Sequence, residues 1–293
     1  MAIKQRQYTG EPGFTEDFHR VRDFLVRIDD GMSLPFDWVR WEWNFSLSFH
    51  DKENLSKIGI WEDDGRIVAI ATYEDQLGYA YFMFDKEYSF LKEEMLIYAK
   101  SSLHKDGQLK LVIADCDREF QRIAARHGFK ATRDKENNAV FDIDVDKISY
   151  TLPEGYTITS LADSYDLYKY NKVLWRGFNH EGEPPTTEEQ IERRRISLSG
   201  PHLDLNLCVA VVAPNGDFAS YCGMWYDRST DFALVEPVAT DPDYRKMGLA
   251  KAAVLEGIKR CGLLGAKQAY VGSSQQFYYQ IGFSPIPAYT YWE

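Results

Sequence analysis

The same order of landmarks is written twice along this chain, and that repetition constrains the fold more than any other feature. In the second half, residues 207–212 form an apolar strand run. Pro214-Asn215-Gly216-Asp217 then reads as a hairpin turn, because Asn and Gly tolerate the left-handed backbone such turns need. Residues 220–226 read as the partner strand and 233–240 as a third. A helix follows, then a short strand at 268–272, a second helix ending in Ile281-Gly282-Phe283, and a closing strand at 288–292. In the first half, Asp63-Asp64-Gly65 turns into a strand at 66–73. A strand at 79–84, a helix over 91–101, a buried-type strand at 110–114 and a helix ending in His127-Gly128-Phe129 follow in the same order. The two Gly-Phe pairs and the two short strands stand at nearly the same separation, as expected of two copies of one domain.

The join is expected where polar residues and Pro153 interrupt the pattern, which gives a first domain of residues 1–147 and a second of 148–293. A hydrophobic fraction of 44% supplies enough apolar surface for two cores. No apolar run approaches the length of a membrane span, and Met1-Ala2-Ile3-Lys4-Gln5-Arg6 lacks the apolar centre of a signal peptide. Cys116, Cys208, Cys222 and Cys261 show no paired spacing and read as reduced thiols, so a cytoplasmic protein is expected. A formal charge of -11 argues against nucleic acid or an anionic membrane as partner. The six histidines have no ligand spacing, and no metal is expected.

The most specific segment is Glu236-Pro-Val-Ala-Thr-Asp-Pro-Asp-Tyr-Arg-Lys-Met-Gly-Leu-Ala250. A strand ends at Thr240, Asp241-Pro242-Asp243 turns the chain, and a helix starts near Gly248. That helix end exposes backbone N–H groups and the positive end of the dipole. Arg245 and Lys246 stand there, where a positive charge is disfavoured by about 0.3–1 kcal/mol unless a polyanion binds. Gly248 has no side chain, so its backbone admits close approach of a phosphate.

Arg245-Lys-Met-Gly248-Leu-Ala250, after the Pro-x-Tyr turn, resembles the acyl-CoA loop of the GNAT superfamily of N-acetyltransferases. The resemblance implies two tandem α/β domains, each a mixed, mostly antiparallel sheet flanked by helices. It implies acetyl-CoA as cosubstrate, with the N–H groups of Lys246, Met247, Gly248, Leu249 and Ala250 around its pyrophosphate. The backbone of Val238, Ala239 and Thr240 would pair with the pantetheine arm like an added strand. Phe277-Tyr278-Tyr279-Gln280-Ile281-Gly282-Phe283 resembles the family's second landmark, which implies Tyr278 as the acid that protonates the departing thiolate. Ser274, in the turn before it, would border pantetheine. The acceptor would be an amine of a small molecule or peptide, acetylated directly in a ternary complex. Glu236, on the pantetheine-pairing strand, is the best candidate base, with Asp227 and Glu293 in reserve. Pro237 cannot donate to a ladder, which fits a bulge there. A non-catalytic acyl-CoA sensor or scaffold needs the loop but not the acid, and is the alternative.

On the same landmarks the first copy has Ser89 in place of Arg245, Lys92 in place of Gly248, Glu94 in place of Ala250 and Ala124 in place of Tyr278. A lysine obstructs phosphate approach and a glutamate repels it, so this copy is expected to be silent toward CoA, packing on the other and completing a cleft. Leu34-Pro-Phe-Asp-Trp-Val-Arg-Trp-Glu-Trp43 is read as core or interdomain packing, and Glu192-Arg-Arg-Arg195 as a solvated helix face. Arg176-Gly-Phe-Asn-His180 falls in a region that commonly lines the acceptor site in the family.

Overall fold

A computed structural model describes residues 3–29, 34–46 and 51–293. Its elements run β1 (Lys4–Gln7), α1 (Glu16–Ile28), α2 (Trp38–Ser46), β2 (Gly59–Asp63), β3 (Arg66–Thr72), β4 (Tyr79–Phe84), α3 (Lys92–Ser102), β5 (Lys110–Ala114), α4 (Arg118–Arg126) and β6 (Ala131–Asp142). They continue with β7 (Thr157–Ser160), α5 (Leu167–Gly177), α6 (Glu188–Ser197), β8 (Val209–Val212), β9 (Phe218–Tyr226), β10 (Phe232–Thr240), α7 (Leu249–Leu264), β11 (Gln268–Val271), α8 (Gln276–Ile281) and β12 (Ser284–Trp292).

Two compact units form: Met1–Asn137 together with Ile286–Glu293, and Asn138–Pro285. In the first, strands pair in the order β1-β2-β3-β4-β5-β12; in the second, β7-β8-β9-β10-β11-β6. Each unit has one parallel pair, β4 with β5 and β10 with β11, and its other ladders are antiparallel. The sixth strand of each sheet comes from the other half of the sequence. Thus β12 forms where the sequence calls for a strand, and Tyr289, Thr290, Tyr291 and Trp292 lie opposite β5 of the first unit. Residues 139–142 of β6 lie opposite β11 in return. Beside the expected join at 147/148, then, the compact unit begins at Asn138, because that strand is packed with β11.

The aromatic stretch after Leu34 forms α2, and it is core: Trp38 and Trp41 are fully buried. Trp41 stacks on Phe18, 6.0 Å between ring centres, and its indole N–H donates to the Phe18 carbonyl at 3.1 Å. Behind this layer, Arg40 bridges Glu74 and Glu136, each at 2.7 Å. The hydroxyls of Tyr81 and Tyr291 also donate to Glu136, so β12 is tied to β6 residues of its own unit by hydrogen bonds. In the second unit, one apolar cluster joins β9, β10 and β11 to α7, and a second, on the other face of β9, joins it to α5 and α6.

Two predictions follow from these contacts. Deletion of residues 286–293 removes the strand opposite β5; hydrogen exchange is expected to show lost protection of the β5 amides and a lower unfolding midpoint for the first unit. For Glu136, burial acts to raise the pKa, but Arg40 and the hydrogen bonds from Arg40, Tyr291 and Tyr81 outweigh it and hold the carboxyl below its ordinary value. Its stabilising contribution is therefore complete above the unfolded value of about 4.3 and disappears as pH falls through the lower folded value. Thermal melts between pH 6 and pH 3 should show Glu136→Gln less acid-sensitive than the parent.

Candidate active site

The open edge of β10 organises the site. β11 lies opposite β10 only at Phe232, Ala233 and Leu234, and no later register pair joins the two strands. On its other edge, β10 stays paired with β9 through Thr240. The Asp241 N–H reaches the Ala219 carbonyl of the β9 side at 3.1 Å. Backbone groups alternate along a strand, so Ala239 also faces β9, while Val238 and Thr240 direct their N–H and C=O groups to the open edge. The Thr240 carbonyl accepts from Arg245 Nε at 3.2 Å.

A β-bulge interrupts the β9–β10 register between Val235 and Val238, at Glu236 and Pro237, whose peptide bond is cis. The extra residue reverses side-chain parity: Val235 and Val238 both pack in the α7-side cluster, and Ala239 joins the α5-side cluster. The bulge also turns the Glu236 carbonyl to the Trp225 indole, which donates at 3.1 Å. At Gly223 on β9 a Cβ would stand 2.5 Å from that same carbonyl, so no other residue fits opposite the bulge without a shift.

Beyond Thr240 the chain is braced by α5. Arg176 pairs with Asp241 at 2.7 Å and Asp243 at 2.6 Å, while Asp241 caps the turn through the Asp243 N–H. Gly177 lies so close to β10 that a Cβ would meet Ala239 Cβ at 2.7 Å and the Thr240 nitrogen at 2.9 Å. Arg245 folds back onto the Gly177 carbonyl at 2.9 Å and Asn179 Oδ1 at 2.8 Å. All its acceptors are neutral, and among the described residues it has no ion pair, so its positive charge persists at the start of α7.

Lys246 and Gly248 take left-handed φ values of 63° and 79°. Such alternation around Met247 turns successive N–H groups to one side, an arrangement suited to anions. The α7 ladder begins with Ala252 N–H to the Gly248 carbonyl at 3.0 Å, which leaves Leu249, Ala250 and Lys251 N–H without intrahelical acceptors. Gly248 supplies no side-chain cap, and a Cβ there would meet nothing within 4 Å. The loop is thus preformed, open and positive.

Tyr278, on α8, packs edge-on against Phe277 and Phe283 and is 7% exposed. Burial, with smaller contributions from Cys222 and Glu236, raises its pKa above the ordinary phenol value. Glu236 likewise adds to the rise at the buried Cys222 thiol, after burial itself and the neighbouring Cys261 and Cys208. Ser274 lies exposed in the turn between β11 and α8.

The other candidates fall elsewhere. Asp227 is engaged in its own turn, accepting from the Ser229 N–H at 2.8 Å, and Glu293 belongs to the first unit, paired with Lys110 at 3.1 Å. His180 packs tilted against Trp175, 4.6 Å between ring centres. The charge run on α6 is more than a solvated face: Arg194 Nε donates to the buried Asn171 side chain at 2.8 Å. Gly223 and Trp225 were not singled out by sequence, and Gly177 only as part of the stretch 176–180. An isolated glycine within the apolar run of β9 was the available signal for a close backbone approach. Among the described residues no group of three His, Cys, Asp or Glu is placed to hold a metal, and no helix is long and apolar enough to cross a membrane.

The matching positions of the first unit are filled from within. A 3-10 turn over residues 86–91 runs directly into α3, and Lys92 N–H donates to the Ser89 carbonyl. The Lys92 ammonium is buried between Asp117 at 2.9 Å and Glu119 at 2.8 Å. Glu94 accepts from the Trp61 indole at 2.6 Å, and Ala124 is buried in α4.

Residues 166–283 match the family model described as acetyltransferase (GNAT) family. A GCN5-related N-acetyltransferase from Sphaerobacter thermophilus is 14% identical, with a TM-score of 0.58 over 99% of this chain and 94% of that one. A tandem GNAT protein from the clavulanic acid biosynthesis pathway is 11% identical, with a TM-score of 0.65 over 99% and 98%. N-myristoyltransferase from Saccharomyces cerevisiae, solved with bound myristoyl-CoA, is 11% identical, with a TM-score of 0.53 over 99% and 77%. At these identities the likeness is one of fold: tandem GNAT-type α/β domains, each a mixed, mostly antiparallel sheet flanked by helices. No curated protein sequence matches the chain.

Gly177→Ala is expected to lower stability by about 1–3 kcal/mol, the usual cost of overpacking, because α5 must shift off β10. Urea denaturation followed by tryptophan fluorescence measures this directly.

Proposed function

We propose that this chain, whose residues 166–283 match the GNAT acetyltransferase family model, transfers the acetyl group of acetyl-CoA to an amine at a single site in its second half. The observation that carries this reading is the unpaired edge of β10 at Val238 and Thr240 leading directly to the glycine-started N-terminus of α7. An extended arm laid along that edge would arrive with its phosphates at the N–H groups of residues 246–250. Arg245, held by neutral acceptors, adds uncompensated positive charge there.

Acetyl-CoA supplies the activated acyl group as a thioester. The Val238 N–H, directed to the open edge, holds the arm in strand-like register. Glu236 takes the proton of the incoming ammonium, directly or through water, so that a neutral amine attacks. Tyr278 gives its proton to the departing sulfur. Its raised pKa keeps it protonated at neutral pH, but widens the gap to a thiol beyond the roughly 1.5 units of the free groups. Glu236 offsets only the smallest part of this rise, which is due chiefly to burial. Its negative charge is one cause of the rise at Tyr278, so proton uptake by Glu236 makes Tyr278 a stronger acid when the thiolate leaves. The first copy is silent toward CoA, because Lys92 with its two carboxylates occupies the position that must stay open. Three buried free thiols suit a reducing, cytoplasmic setting.

Two variants test the reading. Gly248→Glu should abolish CoA binding by the whole chain in titration calorimetry; binding at full strength would place the site elsewhere. Tyr278→Phe should leave the Kd for CoA within a few-fold and lower kcat about 100-fold across an amine panel. CoA binding without turnover of any amine by the parent protein would instead make it an acyl-CoA sensor.

A further inference from the structure

We infer that Gly223 and Trp225 of β9 position the catalytic segment of β10, acting through the carbonyl of Glu236. This rests on the proposed role of Glu236 as base and extends it to two residues on a different strand.

The bulge at Glu236-Pro237 does two separate things. It seats Glu236 at the irregularity itself, and it resets the parity of the residues after it. Without the extra residue, Val238 would move from the α7 side to the α5 side, and the groups now directed to the open edge would turn toward β9. The proposed base and the proposed pantetheine edge therefore depend on one local irregularity.

A bulge leaves a peptide group without a ladder partner, and such a group must find another. Here the Glu236 carbonyl finds the Trp225 indole N–H at 3.1 Å. Trp225 is 4% exposed, so the bond is shielded from competing water. Gly223, two residues earlier on the same face of β9, provides the space: a Cβ would stand 2.5 Å from the carbonyl oxygen, 3.1 Å from its carbon and 3.1 Å from Pro237 Cδ. One residue thus admits the bulge, and the other holds its carbonyl. Neither is required to touch the reacting groups; both are positioning residues.

Trp225→Phe tests this most cleanly, since it removes the N–H donor and keeps an aromatic ring in the core. Its kcat is expected to fall about tenfold, in keeping with a displacement of the base well under 1 Å, with the Kd for CoA within about threefold. The acid limb of the kcat–pH profile should move with it. Glu236→Gln sets the reference. If Trp225 acts through Glu236, the double variant Trp225→Phe/Glu236→Gln is no slower than Glu236→Gln alone. Additive losses, or an unchanged kcat and pH profile in Trp225→Phe, would overturn the inference while leaving the base intact. Full activity in Glu236→Gln would instead remove the base reading, and this inference with it. Gly223→Ala should reproduce the Trp225→Phe pattern more severely if it folds. Circular dichroism distinguishes a folded, slow protein from an unfolded one, and the Trp225 cycle decides the question either way.

Discussion

β10 is held firmly on one edge and released on the other, and the proposed site depends on that asymmetry. A parallel pair tends to continue as long as both strands do, and burial favours it. Here β11 is only four residues long, and its register with β10 ends at Leu234. Beyond that point β9 is the strand paired with β10, and the bulge decides which way its groups face. The Arg176–Asp241 pair and the close approach of Gly177 then press the end of the strand into place from the α5 side. Each contact restrains backbone that would otherwise fray at a strand end.

The two halves share topology and differ in what occupies the same place. Among the described residues both units have six strands and one parallel pair in the same position, and each takes its last strand from the other half of the sequence. After the fourth strand of the second unit, alternating φ values and a glycine leave N–H groups unclaimed. After β4 of the first unit, a 3-10 turn claims them, and Lys92 brings its own charge with two carboxylates to neutralise it. A buried ammonium is costly unless paired. The first copy thus has an ion cluster where the second has unclaimed backbone N–H groups.

Much of this was legible in the sequence, for identifiable reasons. Strands such as 79–84 and 110–114 are short apolar runs bounded by turn residues, and the Gly-Phe pairs recur because a left-handed residue must end each helix; Gly128 and Gly282 have φ of 93° and 117°. The loop around Gly248 was readable because its chemistry is written in consecutive residues. The partner of β12 was not readable, since a strand's pattern states that it is half-buried without saying against which sheet. β6 escaped notice for a related reason: its sequence, Ala-Thr-Arg-Asp-Lys-Glu-Asn-Asn-Ala-Val-Phe-Asp, is mostly polar, so it carries no apolar alternation to detect. Gly223 and Trp225 lie outside the motif and act on a strand paired to their own, and no local pattern records such a contact.

The charge of Arg245 shows how sequence logic and geometry combine. A positive side chain at a helix N-terminus is unfavourable by itself, and the sequence alone suggests that a polyanion repays it. The structure adds that the guanidinium does not point outward in wait for that anion. It is bonded to Thr240, Gly177 and Asn179, every one a neutral oxygen. Arg245 therefore closes the loop mechanically, tying the end of β10 to the end of α5, while its charge remains unneutralised next to the exposed N–H groups of α7. A carboxylate in place of any of those acceptors would brace the loop as well and extinguish the field. The use of carbonyls alone lets one residue supply rigidity and electrostatic attraction together.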